Sequence, residues 1–215
     1  MSASARVLAR TLGLTLTALA FWSWFEKSRA RLETYTDDER EAVLDDILEE
    51  LHKYSDGLWF EIGGHPEGPK ELIISAEGDS DYFAEVVSLV AQAPKLEGWR
   101  FIAFKPPQGF EFATSYGDIH VDPSKSWFLP LDSASDPKSL GLRVAVANFH
   151  ESKAEAFTTA VYLVLDAGLG ELRARKCVNY VEVVAAPSNP EDEGFMELKE
   201  LDQYITWREA KRGEA

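Results

Sequence analysis

The chain is poor in sulfur and in basic charge. Among 215 residues Cys177 is the single cysteine, which excludes an intrachain disulfide framework and a thiolate metal cage. A lone cysteine in an apolar run reads as a small buried hydrophobe and fits a reducing compartment, which favours the cytoplasm. Lys and Arg number 22 against 37 Asp and Glu, a formal net charge of −15 at pH 7. An exterior of that sign repels phosphate backbones, so it argues against nucleic acid and suits a basic protein partner. A phosphate-binding glycine loop, a nucleophile elbow and a zinc-hydrolase signature are all missing, so no cofactor and no metal are expected.

Long hydrophobic runs are missing too. The charge-free stretch 11–25, TLGLTLTALAFWSWF, has fifteen residues, where a membrane span needs about twenty. Arg6 and Arg10 precede it, and Lys27, Arg29 and Arg31 follow. Three accounts compete for it. A signal peptide would use Ala18-Leu19-Ala20 as its cleavage tripeptide. A membrane anchor over residues 7–25 would set Trp22 and Trp24 at the interface. The third account is a helix packed on the domain, or a dispensable leader. Residues 1–31 are therefore set apart from a single domain spanning 32–215.

What is present is material for a core: 45% of residues are hydrophobic and 12% aromatic. Thr36-Asp-Asp-Glu39 forms a capping box, and Val43, Leu44, Ile47, Leu48 and Leu51 follow at helical spacing. Gly57 reads as the residue that ends this helix. Strands are expected over 58–62 and 71–76, joined by Gly-Gly-His-Pro-Glu-Gly-Pro. Asp79 or Ser80 then caps a helix with Phe83, Val86, Val87 and Val90 on one face, and a strand follows over 99–104.

The same order returns downstream. Strands are expected over 126–131 and 140–149, then a helix opened by Ser152-Lys-Ala-Glu155 with Phe157, Ala160, Val161, Val164 and Leu165 inward. Gly168 ends it, and a strand follows within 177–185. The fold class implied is α+β, with two duplicated strand–strand–helix–strand (ferredoxin-like) halves over about 58–106 and 126–186. Helices flank them at both ends, the last over about 197–208 with Leu198, Leu201, Tyr204 and Ile205 apolar.

Residues 96–112, LEGWRFIAFKPPQGFEF, hold five aromatic rings beside basic side chains. Stacked bases need rings open to solvent on one strand face. Here Trp99, Phe101 and Ala103 share one face, and Ile102 and Phe104 the other. Apolar residues on both faces mark a strand buried in the middle of a sheet. The rings read as core.

Glu71-Leu-Ile-Ile-Ser-Ala-Glu-Gly78, Ala93-Pro94, Gly98-Trp99 and Ala103-Phe104-Lys105-Pro106 resemble a bacterial domain family of unknown function. Leu165-Asp166 and Leu169-Gly170-Glu171 continue the resemblance, which covers roughly 58–186. It departs after Glu171, where Leu-Arg-Ala-Arg stands in place of aromatic and acidic residues. The resemblance implies the duplicated α+β layout and no particular activity.

Few residues are placed for chemistry. Asp118, His120 and Asp122 share one face of an extended segment, but successive ligands there lie about 7 Å apart, too far for one ion. Glu49 and His52 form a lone Glu-x-x-His pair, where di-metal bundles need two. Glu171 sits in Gly168-Leu-Gly-Glu171, a turn in which its carboxylate has backbone N–H groups within reach. Asp45, Asp46, Glu49 and Glu50 cluster on one helix and form the candidate partner surface. The expected function is a non-catalytic protein-binding or regulatory domain. The alternatives are a hydrolase assembled from Glu171, His65 and His120, and a membrane-tethered interaction module.

Overall fold

The computed structural model describes residues 3–65, 67–133 and 139–213, with side chains from Thr17 onward. The architecture is α+β, and the chain divides into two compact units, Met1–Lys105 and Pro106–Ala215.

The first unit opens with one continuous helix, α1 (Ala3–Thr34). It runs through residue 31, where the sequence suggested a leader would stop. Its Ala18, Phe21, Trp22, Phe25 and Leu32 are at most 3% exposed. Among the described residues no helix is long and apolar enough to cross a membrane. α2 (Arg40–Tyr54) buries Val43, Ile47, Leu51 and Tyr54. It ends at Ser55, whose backbone is extended, and not through a left-handed Gly57. Gly57 is needed for space, because an added Cβ would meet the Tyr82 ring at 2.3 Å.

β1 (Trp59–Gly63) pairs antiparallel with β2 (Lys70–Ser75). The Asp79 side chain accepts from the Asp81 amide and caps a short turn that leads into α3 (Phe83–Ala91). Val86 and Leu89 of α3 are buried, whereas Val87 is 52% exposed. α3 carries the chain back to β3 (Trp99–Ala103), which runs parallel to β2. Sheet order is β1-β2-β3, so β3 is an edge strand and not the central one its two apolar faces suggested. Its burial comes from α1: Phe25 meets Trp99 and Phe101 edge-on at 4.9 and 5.4 Å, and Trp22 meets Phe101 at 4.6 Å.

The C-terminus of α1 is fastened to the same sheet. Lys70 Nζ donates to the Leu32 and Glu33 carbonyls at 3.0 and 3.1 Å, satisfying groups a helix end leaves open and adding a cation at the negative end of its dipole. Trp99 Nε1 donates to the Glu33 carboxylate at 2.9 Å. Beyond β3 the chain leaves the sheet through Phe104, whose φ of 67° is unusual for a bulky residue. A hydrogen bond to Ile74 and edge contact with Phe83 hold it there.

The second unit has a small hairpin, β4 (Thr114–Tyr116) and β5 (Ile119–Val121), that packs on a long helix, α4 (Ala154–Leu169). β6 (Ser126–Asp132) pairs antiparallel with β7 (Leu140–Val146). α4 follows, buries Phe157, Ala160, Val161, Val164 and Leu165, and starts from a turn at His150 rather than at Ser152. A second helix, α5 (Glu171–Cys177), comes before the strand β8 (Tyr180–Ala185), which is parallel to β7. β9 (Met196–Glu197) closes the other edge, giving the order β8-β7-β6-β9. α6 (Leu201–Arg212) starts four residues later than expected and buries Leu201 and Ile205. In both units a hairpin is followed by helix and a strand parallel to the hairpin's second strand.

Candidate functional site

α2 carries five carboxylates, more than any other α-helix described, and the sequence before it explains its geometry. The Thr36 amide and hydroxyl both bond the Glu39 carboxylate, at 3.0 and 2.9 Å, which fixes the first turn. The Thr36 backbone bond is also the main reason the Glu39 carboxyl lies below the usual range. With Val43, Ile47 and Leu51 facing inward, the helix period turns Glu41, Asp45 and Glu49 outward. These three are exposed, as is Asp38 in the 3-10 turn that precedes α2.

Of the four acids named from sequence, three have cationic neighbours. Arg31 of α1 bonds Asp46, and Lys53 lies 2.7 Å from Glu50 and 3.1 Å from Glu49. Glu50, then Glu49, pushes the Lys53 ammonium above its ordinary pKa. Asp46, Glu49 and Glu50 are therefore partly screened, though Glu49 stays exposed, and exposed pairs of this kind contribute about 0–1 kcal/mol. The outward stripe is better described by Asp38, Glu41, Asp45 and Glu49. Asp38 and Glu41 were passed over in the sequence, although steps of three and four from Asp45 reach both.

Glu171 behaves differently. It is 1% exposed and is the first residue of α5. The break between α4 and α5 falls at Gly170, with φ 77°, not at Gly168. Gly168 lies inside α4, where its missing side chain makes room for the Phe110 ring, 2.2 Å from where a Cβ would stand. Gln108 and Gly109 amides donate to the Ala167 and Gly168 carbonyls at 2.9 and 3.2 Å, capping the end of α4.

The remaining candidates have local partners. His120 is exposed and bonds Ser115 Oγ through Nδ1 at 2.8 Å. Asp118 bonds Lys153, which lowers its pKa. Asp122 accepts from Ser124 and lies 3.0 Å from Lys125, and both contacts lower its pKa. Among the described residues no group of three or more His, Cys, Asp or Glu is placed to hold a metal ion. His65 is exposed in the β1–β2 turn, where its Nδ1 accepts from the Glu67 amide at 3.3 Å. His52 bonds the Leu58 carbonyl and meets Trp59 edge-on. Exposure thus sets the two hydrolase-candidate histidines apart from buried Glu171. Cys177 closes α5 rather than lying in a strand. Burial, then the neighbouring Glu209 carboxylate, pushes its thiol up to about 11, the opposite of an activated nucleophile.

No family model, curated protein or solved structure matches the chain.

Proposed function

We propose that this protein is a non-catalytic binding or regulatory domain that acts through a basic protein partner. The outward acidic stripe of α2 and of the turn that precedes it is its contact surface. The carrying observation is geometric: Asp38, Glu41, Asp45 and Glu49 repeat at helical spacing on an exposed face. That helix is held from below by buried Val43, Ile47 and Leu51, so the charges are presented on a rigid element. Complementary charge of this kind speeds encounter and sets orientation more than it adds raw affinity. The overall charge of −15 extends the same field.

The reading also takes the two strand–strand–helix–strand arrangements as copies of one ferredoxin-like unit. It places the chain beside the bacterial domain family that Ala93-Pro94, Gly98-Trp99 and Leu169-Gly170-Glu171 resemble. Cytoplasmic residence agrees with the single, unactivated Cys177.

The test is affinity capture from a lysate of the source cells with the full chain as bait, in low and in high salt. A second bait carries Asp38→Lys, Glu41→Lys, Asp45→Lys and Glu49→Lys. The expected result is a specific protein recovered by the wild type in low salt and lost with the charge-reversed bait. Recovery of the same proteins by both baits, or of none by either, refutes the reading.

A further inference from the structure

The outer edge of β3 has a different chemistry from the acidic stripe. Lys70 N–H donates to the Gly98 carbonyl and Phe104 N–H to the Ile74 carbonyl, both at 2.8 Å, in a register that sets Ile74 opposite Ala103. The β2–β3 ladder therefore uses the even-numbered residues of this stretch. Successive residues of a strand direct their N–H and C=O groups to opposite sides, so Phe101 and Ala103 turn theirs away from β2. The sheet ends at β3, and no strand lies beyond it among the described residues.

Strand edges in folded proteins are commonly blunted by proline, a bulge or an inward charge. β3 has none of these. Its register is continuous over five residues, and its one charge, Arg100, lies on the other face bonded to Glu71.

Beside this edge lies an open groove of about 470 Å³. Val90, Ala93, Pro94 and Leu96 wall it together with Lys95 and Glu97, and Phe101 and the largely buried Trp99 line it from the strand. The volume falls in the range of about 300–1,000 Å³ that binding pockets occupy. The side chains of Trp99 and Phe101 and the outward backbone groups of Phe101 and Ala103 thus belong to one surface.

We infer that this surface binds an extended peptide segment of a protein partner by strand addition. The peptide exchanges backbone hydrogen bonds with Phe101 and Ala103 and sends alternate, apolar side chains into the groove. Free backbone groups in a row select a strand, since a helix has already used its own. The inference rests on the reading that the chain works by binding protein, but it makes no use of α2.

Random peptides about nine residues long, displayed on phage and selected on the full chain, are the probe; that length covers a five-residue strand with flanks. Two variants report on the site. Ala103→Pro removes an outward N–H while sparing the β2–β3 ladder, as edge positions tolerate. Ala93→Trp fills the groove and leaves the strand untouched, so it decides the matter if thermal melting shows that Ala103→Pro does not fold.

The expected result is enriched sequences with apolar residues at every second position, whose binding weakens about tenfold or more in each folded variant. The charge-reversed α2 chain should bind them as the wild type does, so this outcome is independent of the capture experiment. The inference is overturned by the absence of enrichment or by apolar residues spaced three and four apart. Peptides that bind the Ala93→Trp chain as tightly as the wild type, or that lose binding only in the α2 variant, overturn it equally.

Discussion

The Trp22 indole N–H donates to the Leu89 carbonyl at 2.9 Å, joining residues 67 positions apart. Leu89 lies in the last turn of α3, where its carbonyl also accepts from the Gln92 amide at 3.1 Å, so α1 is tied to the end of α3 as well as covering its sheet. Phe21, Trp22 and Phe25 are all 3% exposed or less. The charge-free run is therefore in part core material of the first unit.

Nested deletions follow from that arrangement. Removing residues 1–20 takes away Ala18, the one buried side chain described in that stretch, and should cost less in urea unfolding than removing residues 1–25. Removing residues 1–25 also strips Phe21, Trp22 and Phe25. Truncating one such ring costs about 3–5 kcal/mol, so the first unit should not fold. Equal stability of the two truncated chains would contradict this.

Much of this fold can be read from the sequence where burial is set by neighbours along the chain. Val43, Ile47 and Leu51 face inward as their spacing requires, and so do Phe157, Val161 and Val164. The place of β3 could not be read that way. Trp99 and Phe101 are covered by Phe25 and Trp22, more than 70 positions upstream, and local alternation mistakes such cover for a central strand. α5 was missed because two glycines two apart each look like a helix stop. Only the Phe110 ring, 58 positions before Gly168, shows that Gly168 serves packing. At the candidate surface, the composition of α2 was legible, whereas the pairing of Asp46 with Arg31 depends on how α1 lies against it.

Gly168→Ala tests that packing. The new methyl would overlap the Phe110 ring, so the loss should be about 1–3 kcal/mol despite alanine's better helix propensity. In a double-mutant cycle with Phe110→Ala, denaturant unfolding should show the two losses to be less than additive.

Arg208 ties α6 to the sheet. It is 9% exposed, bonds Asp132 at the end of β6, and donates to the Ser139 carbonyl at 2.9 Å. Arg208→Met keeps the stem and removes the charge-assisted bonds. The expected loss is about 1–3 kcal/mol, read as a lower thermal midpoint with an unchanged circular dichroism spectrum.

Cys177 sets a pH dependence. Its folded-state thiol is raised from 9.0 to about 11, so the folded chain holds that proton more tightly than the unfolded one. The resulting stability is fully present below pH 9 and is lost as pH rises towards 11. Alkylation by iodoacetamide should accordingly be slow at pH 8 and climb with a midpoint near 11. Glu209→Gln should move the midpoint down, because the Glu209 carboxylate opposes thiolate formation.

Carbodiimide cross-linking of the captured complex tests the central claim most directly, since it joins carboxylates to lysines in contact and mass spectrometry locates each bond. The account predicts cross-links from Asp38, Glu41, Asp45 and Glu49 to lysines of the partner. Cross-links confined to acids elsewhere, such as Glu191, Asp192 and Glu193, with α2 unmodified, would contradict it.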